Sequence, residues 1–273
     1  MSTSYRSEIH RFGAPAEIRD LHIDEAVALV RDGDAIAVLL DVVQPEQLDT
    51  WWADPSYPEV IPHRSLSGVA NTGVAVGPMQ FLENEKLVVG LADYFAYAGR
   101  FNGQLRNTAF ARLIHDALHI DTVQVGTWAE FPLTSKREFQ PKKEGVYSVP
   151  PHCDAIHFSR DPGNWPIGEN YSELKNQISV FLSVADSNEG TGLVFWDYRP
   201  QDFTQLHTLM AEFFANQSIP QLQDVTKLVV HGKPGQLHVL NTRVMHAVEQ
   251  CQAVRRTIGA FLVRHEDSWR MFH

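Results

Sequence analysis

The chain of 273 residues is poor in three things, and each shortage excludes something. It has two cysteines, Cys153 and Cys251, too few for a disulfide framework. Stability must then come from an ordinary apolar core, and the expected setting is reducing, in the cytoplasm. Long apolar runs are missing as well. The longest early one, Ala35 to Val43, is short and broken by Asp41, and no basic segment leads into an apolar stretch near the N-terminus, so neither a signal peptide nor a membrane span is expected. Positive charge is the third scarcity. With 23 Lys and Arg against 33 Asp and Glu, the formal net charge is −10, which repels phosphate backbones and anionic lipid surfaces; no nucleic-acid and no membrane partner is expected.

What is present supports one large domain. Hydrophobic residues make up 44% of the chain, enough for a substantial core, with no internal repeat and no shift in composition to mark a boundary. Chemistry concentrates in Val149-Pro150-Pro151-His152-Cys153-Asp154. In extended backbone, residues two apart share a face, so the His152 imidazole and the Asp154 carboxylate can converge on one ion, with Cys153 as spacer. A third ligand is offered downstream by His246, at the end of Gly235-Gln236-Leu237-His238-Val239-Leu240-Asn241-Thr242-Arg243-Val244-Met245-His246. Two neutral imidazoles and one carboxylate with positions left open suit non-haem Fe(II). Arg255 and Thr257 follow, two apart on an apolar run that reads as a strand. A guanidinium with a hydroxyl beside it can hold a carboxylate in a bidentate fork. Arg256 competes for that role, but its spacing puts Thr257 on the face of Arg255.

His152-x-Asp154, then His246, then Arg255-x-Thr257 resembles the HxD…H…RxS/T motif of the Fe(II)/2-oxoglutarate-dependent dioxygenases. The resemblance runs from about Gly145 to Val263, and includes the small-residue turn and strand Gly190-Thr191-Gly192-Leu193-Val194-Phe195 and the Pro234-Gly235 turn before the distal histidine. It implies a double-stranded β-helix, a jelly roll of the cupin kind, mainly β with flanking α-helices. It also implies His152, Asp154 and His246 as metal ligands, Arg255 and Thr257 as 2-oxoglutarate contacts, and Fe(II), 2-oxoglutarate and O₂ as cofactor and co-substrates. The implied reaction hydroxylates an unactivated C–H bond, releasing succinate and CO₂. Halogenating members generally have a small residue at the position of Asp154, so the carboxylate here favours hydroxylation, while desaturation and cyclisation also use an intact triad. A cupin-type metalloenzyme that does not use 2-oxoglutarate is the alternative from outside the family, and a non-catalytic barrel would be expected to show a damaged triad.

The rest of the chain reads as scaffold and loops. Residues 1–120 are expected to give N-terminal helical and strand support, with a helix capped by Asp24, a strand from Ala35 to Leu40, a second helix begun at Pro45 and helical stripes over 84–119. Residues 121–265 are expected to give the β-helix core, with strands at Thr122–Phe131, Glu144–Val149, Ile178–Val184 and Leu193–Trp196. Lys136-Arg137 reads as a solvated basic turn, and His231 and His238 as structural. Candidates for substrate or pocket contact are Arg64 in a Pro/Gly-rich loop, Trp165 in a polar insert at 158–173 that could act as a lid, Trp196, Asn241 and Arg243. A small molecule, such as an amino acid or an intermediate of specialised metabolism, is the expected substrate, and a homodimer is compatible with the sequence.

Overall fold

The computed structural model describes residues 3–62, 68–72, 96, 98–118, 133–141, 145–154, 176–187, 190–265 and 268–273. Its strands form two antiparallel sheets. In chain order they are β1 (Tyr5–His10), β2 (Glu17–Leu21), β3 (Ala37–Asp41), β4 (Val60–Pro62), β5 (Val69–Thr72), β6 (Ser135–Phe139), β7 (Tyr147–His152), β8 (Ile178–Ala185), β9 (Gly192–Trp196), β10 (Lys227–His231), β11 (Gln236–Leu240), β12 (His246–Glu249), β13 (Arg255–His265) and β14 (Ser268–Phe272). The larger sheet has the order β2-β1-β3-β11-β8-β13-β6-β5-β4, with β14 also paired to β13, and the smaller has the order β10-β9-β12-β7.

Alternation along the strands builds three apolar layers. On β8, Ile178, Val180 and Leu182 face one way and join Val38, Leu40, Leu237, Val239, Ile258, Ala260 and Leu262 beneath the helices. The opposite face of the larger sheet contributes Leu39, Phe139 and Leu240, which meet Val149, Leu193, Phe195 and Val248 of the smaller sheet between the two. Each large aliphatic side chain so buried is worth about 1.5–3 kcal/mol. This is the double-stranded β-helix. Strands β1 to β3 extend its larger sheet beyond β11, so the N-terminal support shares the sheet that carries the core.

Among the described residues, four of the helices follow from local signals. Helix α1 (Ile23–Asp32) starts two residues before the expected Asp24 cap, because the Glu25 carboxylate accepts from His22 N at 2.8 Å, and it stops at Gly33, whose φ of 87° is left-handed. Helix α2 (Leu48–Trp52) continues a 3₁₀ turn opened by Pro45. Helix α3 (Ala109–Leu118) buries Phe110, Ala111 and Ile114. Helix α4 (Phe203–Asn216) is capped by Asp202, which accepts from Gln205 N at 2.8 Å, and covers the outer face of the smaller sheet with Leu206, Leu209, Met210 and Phe213. The expected strand at Thr122–Phe131, the insert at 158–173, and the candidates Arg64 and Trp165 lie outside the described residues.

Candidate active site

The smaller sheet brings the three expected ligands together. Strand β7 is an edge strand, which is where Pro150 and Pro151, lacking N–H donors, are tolerated. It ends at His152, directly opposite His246, the first residue of β12. Asp154 lies just past the strand and is held by its N–H, which donates to Thr242 O at 2.8 Å. One donor atom from each of His152, Asp154 and His246 falls within 4.8 Å of the others.

Hydrogen bonding fixes which ring atoms face inward. His152 Nδ1 is 2.7 Å from Pro150 O, and His246 Nδ1 is 3.0 Å from Val244 O. A carbonyl only accepts, so each Nδ1 is the donor to it and each Nε2 is the ring atom turned toward Asp154. Those Nε2 atoms stand 3.7 Å and 3.4 Å from the Asp154 carboxylate oxygens. Burial pushes the His152 imidazole down to about 4, which keeps it neutral. Burial acts to raise the Asp154 carboxyl, but the contacts with His246 and His152 and the charge of Arg137 prevail and hold it below its ordinary value. Two ring nitrogens and a carboxylate oxygen thus converge on one point, an arrangement that a divalent cation would stabilise. The donor set fits Fe(II) or a similar first-row ion.

Deeper along the larger sheet, Arg255 and Thr257 face inward and Arg256 faces out. The Arg255 side chain is 4% exposed, lies over the rings of Phe139 and Phe181 at 5.3 and 5.4 Å, and has Nε 3.4 Å from Asp186 Oδ2. Burial lowers its pKa, against the pull of Asp186. Arg256 instead pairs with Glu138 at 2.7 Å and lies over Trp52. Thr257 is buried one step further along β13 on the face of Arg255.

Three candidates turn away from this cavity. Trp196 packs with Leu206, Leu209 and Met210 under α4, edge-on to Tyr147, because alternation on β9 gives the inner face to Phe195. Arg243 donates from Nη2 to Val30 O at 3.2 Å and Arg31 O at 3.0 Å, capping the C-terminus of α1, while its Nε donates to Asn241 Oδ1 at 2.9 Å. Burial pulls this guanidinium down to about 10. Asn241 and Arg243 therefore clamp a helix to the barrel.

Two inward residues were not singled out from the sequence. The expected basic turn at Lys136-Arg137 is instead strand β6. Its charged run, Ser135-Lys136-Arg137-Glu138, shows no apolar alternation, which is why the strand is hidden in the sequence. Lys136 points outward onto Trp52 and Tyr57 and bonds to the carbonyls of Trp52 and Asp54, with burial lowering its pKa to about 8. Arg137, its neighbour, points inward opposite Thr257. His238 is buried on the inner face of β11, stacked on Phe181 at 4.4 Å, and burial drives its pKa well below the usual imidazole value.

A double-stranded β-helix with two histidines and an aspartate converging at one end of the barrel is a mononuclear non-haem metal enzyme of the jelly-roll class. Among solved structures, the chain is similar over 100% of its length to 100% of an N-substituted L-amino acid dioxygenase from Burkholderia ambifaria AMMD, at 32% identity and a TM-score of 0.83. A second structure from that organism, an N-substituted L-amino acid dioxygenase in complex with α-ketoglutarate, matches at 30% identity, TM-score 0.79, again over 100% of both chains. No protein-family model matches the sequence, nor does any curated protein. The chain belongs to the Fe(II)/2-oxoglutarate-dependent dioxygenases, non-haem iron oxygenases with 2-oxoglutarate as co-substrate. This membership replaces the alternative of a cupin-type enzyme independent of 2-oxoglutarate. Enzymes of this kind act on small molecules. Among the described residues no helix is long and apolar enough to cross a membrane.

Proposed function

We propose that this chain hydroxylates an unactivated C–H bond of an N-substituted L-amino acid or a close analogue, working as a single domain with residues 1–120 as support and 121–265 as the catalytic barrel. The observation that carries the reading is the convergence of the His152, Asp154 and His246 donor atoms within 4.8 Å, each imidazole Nδ1 turned to a backbone carbonyl. In this reading those three residues hold Fe(II), which with 2-oxoglutarate and O₂ supplies the oxidation of substrate carbon and the release of succinate and CO₂.

The protein's own share is binding, orientation and exclusion of water. The carbonyls of Pro150 and Val244 hold both imidazoles with Nε2 turned to the ion's place, so the rings need no reorientation when it arrives. Arg255 and Thr257 receive the distal carboxylate of 2-oxoglutarate. The apolar walls Phe139 and Phe181 exclude water from the guanidinium and so strengthen its pairing with an anion. Asp186 holds the Nε side of Arg255, and among the described residues no protein partner occupies its Nη atoms.

The substrate class comes from full-length similarity to the amino acid dioxygenase, and it is open to direct test. The enzyme reconstituted with Fe(II) and 2-oxoglutarate is incubated with a panel of N-acyl L-amino acids, and the products are weighed by mass spectrometry. A gain of one oxygen atom in an N-acyl L-amino acid is the expected result. Loss of two hydrogens would replace hydroxylation by desaturation or cyclisation, and no turnover across the panel would remove the substrate class.

A further inference from the structure

On β6, opposite Thr257, stands Arg137, a charged side chain on the face of the sheet turned to the barrel interior. Its neighbours fix where the guanidinium lies. Nε donates at 3.2 Å to Oδ1 of Asn71, which is only 4% exposed and sits opposite Arg137 on β5. Nη2 is 3.4 Å from Nε2 of His273. That contact follows from topology: β6 and β14 lie end to end along one edge of β13, so His273, the residue after β14, meets the beginning of β6. The His273 ring stacks on Phe261 at 5.9 Å and 21°. Arg137 thus extends along the wall from the level of Thr257 toward that of Phe261, away from the Asp186 end where Arg255 is anchored.

2-Oxoglutarate has two carboxylates, one placed at Arg255 and Thr257 in the reading above and the other at the metal end. Arg137 is a further half-buried guanidinium on the inner wall, held by Asn71 and His273, and a guanidinium presents a planar fork matched to a carboxylate. We propose that Arg137, positioned by Asn71 and His273, is the receptor for the substrate's own carboxylate and makes the site selective for free acids over their amides. This inference rests on the N-substituted L-amino acid reading, which supplies a substrate with a carboxylate.

The test measures binding without turnover. Full-length enzyme loaded anaerobically with Fe(II) and 2-oxoglutarate is titrated calorimetrically with N-acetyl-L-leucine and with N-acetyl-L-leucinamide, and metal-loaded enzyme is titrated separately with 2-oxoglutarate. Wild type should bind the acid at least about tenfold more tightly than the amide. Arg137→Gln should lose that preference by weakening the acid alone, with the dissociation constant for 2-oxoglutarate within about twofold of wild type. Arg137→Lys, which keeps the charge and loses the fork, should weaken the acid about threefold, and it serves if the glutamine variant does not fold. An Arg137 variant that weakens 2-oxoglutarate instead, or that retains the acid preference, overturns the proposal. Wild type that binds neither probe overturns the substrate reading and this inference with it, while leaving the metal and 2-oxoglutarate sites standing.

Discussion

Arg255 and Arg256 are adjacent and chemically identical, yet the strand gives them different work. Alternation buries Arg255 between Phe139 and Phe181, whereas Arg256 is 38% exposed and paired with Glu138. Removing a buried guanidinium leaves a ligand carboxylate unpaired at a cost of about 3–5 kcal/mol, so Arg255→Ala should raise the Michaelis constant for 2-oxoglutarate at least about a hundredfold. A largely solvated pair is worth no more than about 1 kcal/mol, and Arg256→Ala should leave that constant within about twofold. Steady-state titration of 2-oxoglutarate against both variants decides between them, and the reverse pattern would move the carboxylate anchor to Arg256. At this scale the sequence was legible wherever a two-residue spacing sat in an apolar run. It was illegible at Arg137, because a strand written Ser-Lys-Arg-Glu has the composition of a turn and is made a strand only by its pairing with β5 and β13.

Elements, rather than single side chains, decide where the ligands meet. The end of β7 and the start of β12 are paired neighbours, so His152 and His246 face each other with ring centroids 4.2 Å apart. The linker from β11 to β12 has a second task that spacing alone conceals. It carries Thr242, whose carbonyl holds Asp154, and also Asn241 and Arg243, which clamp the end of α1. Proximity to His246 in sequence made Asn241 and Arg243 look like pocket residues. Their side chains turn to the end of α1, where Arg243 donates to Arg31 O and adds a second donor to Val30 O beside Gly33 N–H. Arg243→Ala should therefore act on stability, costing about 1–3 kcal/mol through the lost hydrogen bonds to Arg31 O, Val30 O and Asn241, and should show in the denaturant midpoint. A folded variant with unchanged stability and a large rise in substrate Michaelis constant would return Arg243 to the site. Trp196 is a similar case: its position beside Phe195 on β9 was readable, but the packing of α4 that claims it is a tertiary fact.

For the molecule as a whole, the alternating strands and the HxD…H…RxT residues foretold both the barrel and the triad, because each is a local pattern repeated at fixed spacing. The placement of β1 to β3 in the larger sheet could not be read locally, since β3 pairs with the distant β11. Ligand placement by two sheets, with a carboxylate anchor on one and a metal triad on the other, is the central claim, and it is tested most directly by stoichiometry. Enzyme supplied with Fe(II), 2-oxoglutarate, O₂ and a turned-over N-acyl L-amino acid is assayed for succinate and for oxidised product, in wild type and in His246→Ala. The account predicts about one succinate per product in wild type, with turnover abolished when Fe(II) or 2-oxoglutarate is left out and in the His246 variant. Product formed without 2-oxoglutarate, or a His246→Ala enzyme as active as wild type, would contradict it.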